Sequence, residues 1–159
     1  MATKSKNLSV EQRAYVKLRA SFAEFDQVGY ITSPPILIGT VEDEIAAHAR
    51  IIGRPLHSRS IYFRGDDLEH AKRDTKVTAG VSVSRNDFCN FPFTKSSMSV
   101  YFDIETRRYT YTDYKNKFVL EPNQKVKLAN GRVYAVTLVT ATKMRDSKEF
   151  NMRKYKKIK

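Results

Sequence analysis

Apolar side chains recur every three or four positions near the start of the chain, which is the spacing of one helix face. This stripe consists of Tyr15, Leu18, Phe22 and Phe25. Ser9 followed three residues later by Gln12 is typical of a capping box, so we expect the helix to begin at Ser9 and to end near Phe25. A second helix is predicted for residues 41–52, with Gly53 following its last turn.

The pattern changes from residue 100 onward to short runs rich in Tyr, Phe, Val and Thr, which favour β-strands. Strands are predicted at residues 60–63, 100–104, 108–113, 117–120, 124–128 and 132–142, with breaks at Pro122 and at the hairpin signal Asn130–Gly131. Helices that precede strands without alternation indicate an α+β fold. We therefore expect a helical arm over residues 1–57, followed by a compact domain over residues 58–159 with an antiparallel sheet of about four or five strands.

Positive charge is concentrated in the second half of the chain. Residues 95–159 hold 16 Lys and Arg against six Asp and Glu, which is +10 of the net charge of +12. A one-ended excess attracts polyanions, so we expect a nucleic acid partner, and RNA ahead of DNA. A solvated, lysine-rich surface is the alternative interpretation of the same charge.

The composition also argues against several kinds of site. The single cysteine, Cys89, forms neither an internal disulfide nor a multi-cysteine metal site, and we expect no metal and no cofactor. No apolar run is long enough to span a bilayer, and the first residues do not resemble a signal peptide. The expected location is a reducing host-cell cytoplasm, or a virion made there, with no membrane partner.

Two basic segments are candidate nucleic-acid contacts. Aromatic and basic side chains interleave over residues 107–115, which suits base stacking with phosphate contacts and suits a plain β-strand equally well. The segment from residue 144 to the C terminus is strongly basic, and we expect it to be a final strand, a sheet edge or a tail. It is the more specific nucleic-acid signal. The predicted nucleic-acid-binding residues are Arg107, Arg108, Tyr109, Tyr111, Lys143, Arg145, Arg153, Lys154, Lys156 and Lys157.

The middle of the chain has an order of elements that resembles a nuclease superfamily. Residues 60–73 predict a strand, a turn and a short helix that begins near Asp66, and residues 83–88 then lead into Pro92 and the hairpins. This order, over residues 58–159, resembles the phage-associated branch of the barnase–EndoU–colicin–RelE nucleases. The resemblance implies metal-independent cleavage of RNA, in which a base takes the proton of a 2′-hydroxyl and cations stabilise the attacked phosphate.

The resemblance also suggests roles for individual residues. His70 would be the acid or base, Lys72, Arg73 and Lys76 would supply positive charge, and Thr140 and Thr142, with Lys143, would line the sheet opposite them. A histidine near a helix end is also an ordinary surface or capping residue, so a structural role for His70 stays open.

A second resemblance falls on overlapping residues. Arg64 within residues 62–65, followed by residues 82–84, resembles the first two signatures of arginine–serine–glutamate ADP-ribosyltransferases. The glutamate of the third signature should occupy one of residues 115–117, which are Lys, Asn and Lys, and Glu121 lies too late. Asp103 and Glu105 imitate one motif of metal-dependent exonucleases, but the remaining chain is too short for the other motifs.

The sequence therefore leaves two classes of function open. The first is a phage-type metal-independent endoribonuclease, with which a neutralising protein partner would be compatible. The alternative is a non-catalytic nucleic-acid-binding protein of a virion or of host takeover, built on the same fold. An ADP-ribosyltransferase-like protein is the second alternative.

Overall fold

One mixed sheet of seven strands includes segments from Ile36 to Lys157. The computed structural model describes residues 8–65, 83–144, 146 and 148–159. Within them the helices are α1 (Val10–Val28), α2 (Asp43–Ile51) and α3 (Arg85–Thr94). The strands are β1 (Ile36–Thr40), β2 (Ser60–Phe63), β3 (Ser99–Asp103), β4 (Tyr109–Thr112), β5 (Asn116–Leu128), β6 (Gly131–Lys143) and β7 (Tyr155–Lys157). Their order across the sheet is β1-β2-β6-β5-β4-β3-β7.

The first helix begins where its capping signal predicts. The Ser9 hydroxyl accepts the Gln12 N–H, and the Gln12 side chain accepts the Ser9 N–H, so both halves of the capping box are formed. Gly29 ends the helix in a left-handed conformation, with φ +78°, which a residue without a Cβ adopts at little cost. The helix is therefore set by local sequence.

The α+β class is confirmed. The predicted sheet had too few strands and was wrongly expected to be wholly antiparallel. Seven strands are described instead of four or five, and β2 pairs with β6 in parallel while the other pairs are antiparallel. The two additional edge strands are β1 and β7. Pro122, predicted to end a strand, lies instead in a bulge within the continuous strand β5, between Glu121 and Gln124.

Helices and strands share one apolar core. Leu18 and Phe22 of α1, Ile45 of α2 and Phe91 of α3 are buried with alternate residues of the strands, such as Leu138. Burying each such side chain stabilises the fold by roughly 1.5–3 kcal/mol. Residues 8–57 join the rest of the chain through this core and through the β1–β2 pairing.

The longest hairpin extends beyond its neighbours. β5 and β6 have 13 residues each, whereas β4 has four. Residues 124–135 therefore form an extension that we call the β5–β6 arm. No helix among the described residues is long and apolar enough to cross a membrane.

Candidate nucleic-acid interface

Most of the predicted catalytic set lies outside the described residues. This holds for His70, Lys72, Arg73 and Lys76, and also for the predicted RNA contact Arg145. Thr140 and Thr142 are half-buried on β6, opposite Val119 and Lys117 of β5. Because residues two apart on a strand share a face, the two hydroxyls lie on the same side of the sheet.

The two tyrosines predicted to stack on bases belong to the core. Tyr109 is 2% exposed and Tyr111 is fully buried, so neither ring is available to a nucleic acid, and that prediction is corrected. The cause is the alternation of β4, which turns both rings inward while Arg108 and Thr110 face the other side. Burial raises the pKa of Tyr109 to about 12.

His48 packs against Tyr109 and forms a hydrogen bond with it. Its Nδ1 lies 2.8 Å from the Tyr109 hydroxyl oxygen, and its ring centroid lies 4.7 Å from that of Phe102. Burial lowers the pKa of His48, and the positive charge of Lys156 lowers it further. A neutral His48 thus satisfies a buried hydroxyl, which is a structural role.

The C-terminal basic segment is a strand with exposed cations. Lys156 and Lys157 lie on β7, paired with residues of β3, and their side chains are exposed, as is that of Arg153. Lys154 is half-buried, with its Nζ 3.7 Å from a carboxylate oxygen of Asp103. The predicted contact Lys143 is also exposed, and it lies at the end of the sheet opposite to the start of β7.

One end of the sheet collects exposed cations from four parts of the chain. Antiparallel pairing brings the β3–β4 turn, the start of β7 and the tip of the β5–β6 arm to the same end, beside the segment that follows α2. We call this surface the basic end. It consists of Arg54, Arg107, Lys125, Lys127, Arg132 and Arg153. Within the described part of the chain, none of the six forms a salt bridge.

The β3–β4 turn holds Arg107 outward. The Asp103 carboxylate accepts the N–H groups of Glu105 and Thr106 at 2.9 and 3.2 Å, and Arg107 has φ +61°. Non-glycine residues seldom adopt this conformation. Arg107 and Arg54 line a cavity of about 360 Å³ at this end of the sheet.

The arm supplies cations and an aromatic ring that the sequence analysis missed. Lys125 pairs with Tyr134 and Lys127 with Arg132, so these four side chains share one face. The sequence signal that could have identified these four residues was the hairpin predicted at Asn130–Gly131. The turn lies one residue earlier, which shifts the pairing by two residues and leaves the same four side chains on one face.

Several residues of the other candidate motifs make structural contacts in the described part of the chain. No group of three or more metal-ligating His, Cys, Asp or Glu side chains occurs there. The Asp103 carboxylate accepts hydrogen bonds within the β3–β4 turn, and Glu121 forms a salt bridge with Arg108 at 3.1 Å. Ser84, from the ADP-ribosyltransferase-like pattern, accepts the Asp87 N–H at 3.1 Å and caps α3.

No protein-family model matches the chain, and searches of curated proteins and of solved structures found no match.

Proposed function

We propose that this chain binds RNA at the basic end. The observation that supports the proposal is the convergence of six exposed cations without acidic partners in the described residues. Like charges gathered at one end of a sheet repel one another, and a polyanion offsets that repulsion while releasing its condensed counterions.

The charge balance at this end favours a polyanion. The acidic residues nearby are Asp103, Glu105 and Glu121, of which Asp103 is buried in its turn and Glu121 pairs with Arg108. Glu105 is left as the exposed acid of the β3–β4 turn. Four parts of the chain contribute cations, so an extended ligand that contacts several of them matches the surface better than a small anion.

RNA cleavage is a second proposal, made for the same chain. It rests on the order of elements and on the placement of Thr140 and Thr142 on one face of β6. The acid or base would come from His70. Binding at the basic end does not depend on this activity.

Two double variants test RNA binding. Arg107→Asn with Arg153→Ala removes two charges from the basic end, and asparagine tolerates the left-handed backbone of position 107. Lys17→Ala with Lys148→Ala removes two exposed charges elsewhere. Point substitutions are preferable to deleting residues 152–159, because that deletion also removes β7.

The readout is the affinity for a fluorescent single-stranded RNA at several salt concentrations. We expect the basic-end variant to bind about tenfold or more weakly and to lower the salt slope by about 1.4, the value for two contacts to a single strand. The second variant should retain most of the slope and the affinity. Equal losses in both variants would refute the basic end as the site, and a wild-type protein that binds no RNA would refute the function.

A further inference from the structure

The exposed face of the β5–β6 arm combines charge with a flat ring. It carries Lys125, Lys127, Arg132 and Tyr134, which we call the arm face. All three cations are exposed, and Tyr134 keeps 50% of its surface accessible. Tyr134 therefore presents an aromatic surface to solvent beside three exposed cations.

Two side chains lie close to the ring of Tyr134. The His57 ring centroid lies 5.3 Å from it, at an interplanar angle of 41°, and Lys125 Nζ lies 5.8 Å from the centroid. The backbone of His57 is held in place, because its main-chain N–H donates to Asn123 Oδ1 at 2.9 Å. Asn123 also donates to the Pro55 carbonyl at 3.2 Å.

The opposite face of the arm anchors it. Val126 is fully buried and Ala135 is 1% exposed, and both alternate with arm-face residues along their strands. The arm face is therefore presented on an element that is packed on its other side. Less conformational entropy is lost when a ligand binds to such a surface.

A shallow groove adjoins the ring. It measures about 500 Å³ and is lined by His57, Ser58, Ser60, Tyr62, Arg132, Val133 and Tyr134. The lining has aromatic rings, hydroxyls and an arginine but no carboxylate. Such a groove suits a ligand with a planar face and a negatively charged backbone.

We propose that the arm face binds single-stranded RNA by stacking an unpaired base on Tyr134, while Lys125, Lys127 and Arg132 contact the adjoining phosphates. This deepens the proposed RNA binding and rests on it. Stacking needs a base with a free face, which a single strand offers and a duplex does not. The arm face therefore specifies the form of the RNA, whereas the other cations of the basic end attract either form.

The experiment compares two probes, a fluorescent oligouridylate of about 12 nucleotides, within the usual site size, and an RNA duplex of the same length. Tyr134→Ala should weaken binding of the single strand about fivefold or more and change duplex binding by less than about twofold. Because stacking releases no counterions, the salt slope should stay at the wild-type value.

Matched variants separate stacking from folding. Tyr134→Phe keeps the ring and should bind the single strand like wild type, whereas Tyr134→Leu keeps an apolar side chain without a flat ring and should bind like Tyr134→Ala. Tyr30→Ala removes another tyrosine of similar exposure, 54%, and should have no effect.

The outcomes distinguish this inference from the function on which it rests. Equal losses for both probes, or wild-type affinity in Tyr134→Ala, overturn stacking while RNA binding stands. A wild-type protein that binds neither probe overturns both proposals. Wild-type affinity in Tyr134→Phe together with a selective loss in Tyr134→Leu supports stacking.

Discussion

The cations of this protein occupy two opposite settings. Lys95 is buried, and its Nζ donates to the Thr40 carbonyl at 2.5 Å and to Glu42 Oε2 at 2.7 Å. The other carboxylate oxygen of Glu42 accepts the Tyr111 hydroxyl at 2.5 Å. At Gly39 the absence of a side chain leaves room for Lys95, because a Cβ there would lie 3.0 Å from Lys95 Cε.

The basic end shows the reverse arrangement. Its cations are exposed and have no salt bridges within the described residues, whereas Lys95 is paired with Glu42 inside the protein. The difference shows that the lysines and arginines of one chain can either be paired inside the fold or stay exposed on its surface. Net charge alone does not separate the two groups.

The largest expected effect comes from removing the buried cation, Lys95. Lys95→Met leaves the Glu42 carboxylate, whose side chain is only 16% exposed, without its cation, and removing one partner of a buried pair typically costs about 3–5 kcal/mol. Urea unfolding monitored by circular dichroism measures the free energy of unfolding. Adding Glu42→Gln should restore part of the loss, since no charge then remains unpaired. Unchanged stability in Lys95→Met would show that the pair contributes little.

Local signals account for the parts of the fold that were predicted. The capping box of α1 and the alternation in β3 to β6 act over a few residues, so the sequence shows them directly. β1 follows two prolines, contains Gly39, and depends on pairing with β2. β7 lies in a lysine-rich run and is stabilised by backbone pairing with β3. The parallel contact of β2 with β6 joins residues far apart in the chain, and no local pattern encodes it.

The site was predictable to a smaller extent. Charge density pointed to Arg107 and Arg153, which the structure exposes, but it treated Lys95 no differently from them. Tyr109 was misplaced because basic and aromatic alternation also describes an ordinary β-strand, and β4 is buried on both faces. The pattern around the arm hairpin contained Tyr134, but its exposure depends on the packing of Val126 and Ala135 on the opposite face.

The second expected effect concerns chemistry at His70, outside the described residues. If the chain cleaves RNA, His70→Ala should lower the rate by about 100-fold, the usual contribution of a general acid or base, while RNA binding persists. Arg73→Ala should also slow cleavage, because it removes charge near the pentavalent phosphate. The assay uses total RNA in EDTA and identifies 2′,3′-cyclic phosphate ends. A wild type that cuts no RNA, or cuts only with added metal, contradicts the nuclease proposal and leaves binding intact.

A smaller effect is expected from His48 through pH. Its pKa in the folded protein is lowered from 6.5, so the unfolded chain binds the proton more readily. The stability that depends on neutral His48 is therefore fully present above the unfolded pKa and is lost as pH falls through the window below it, down to the folded pKa. Melting temperatures across this range should decline less in His48→Gln than in wild type. Parallel declines in both proteins would assign the pH dependence to other groups.

The smallest expected effect concerns a third kind of cation, one that is exposed but paired with a carboxylate. Arg85 pairs with Asp26 on the surface, with side chains 41% and 50% exposed, and its guanidinium carbon lies 5.1 Å from the centroid of the Phe22 ring. Asp26→Asn should cost less than about 1 kcal/mol in the free energy of unfolding, because water and salt screen such a pair. Arg85→Ala should cost more than Asp26→Asn, since it also uncovers Phe22. Urea unfolding at low and high salt measures both variants. A loss in Asp26→Asn as large as that of Lys95→Met would show that burial does not decide how much a paired cation contributes to stability.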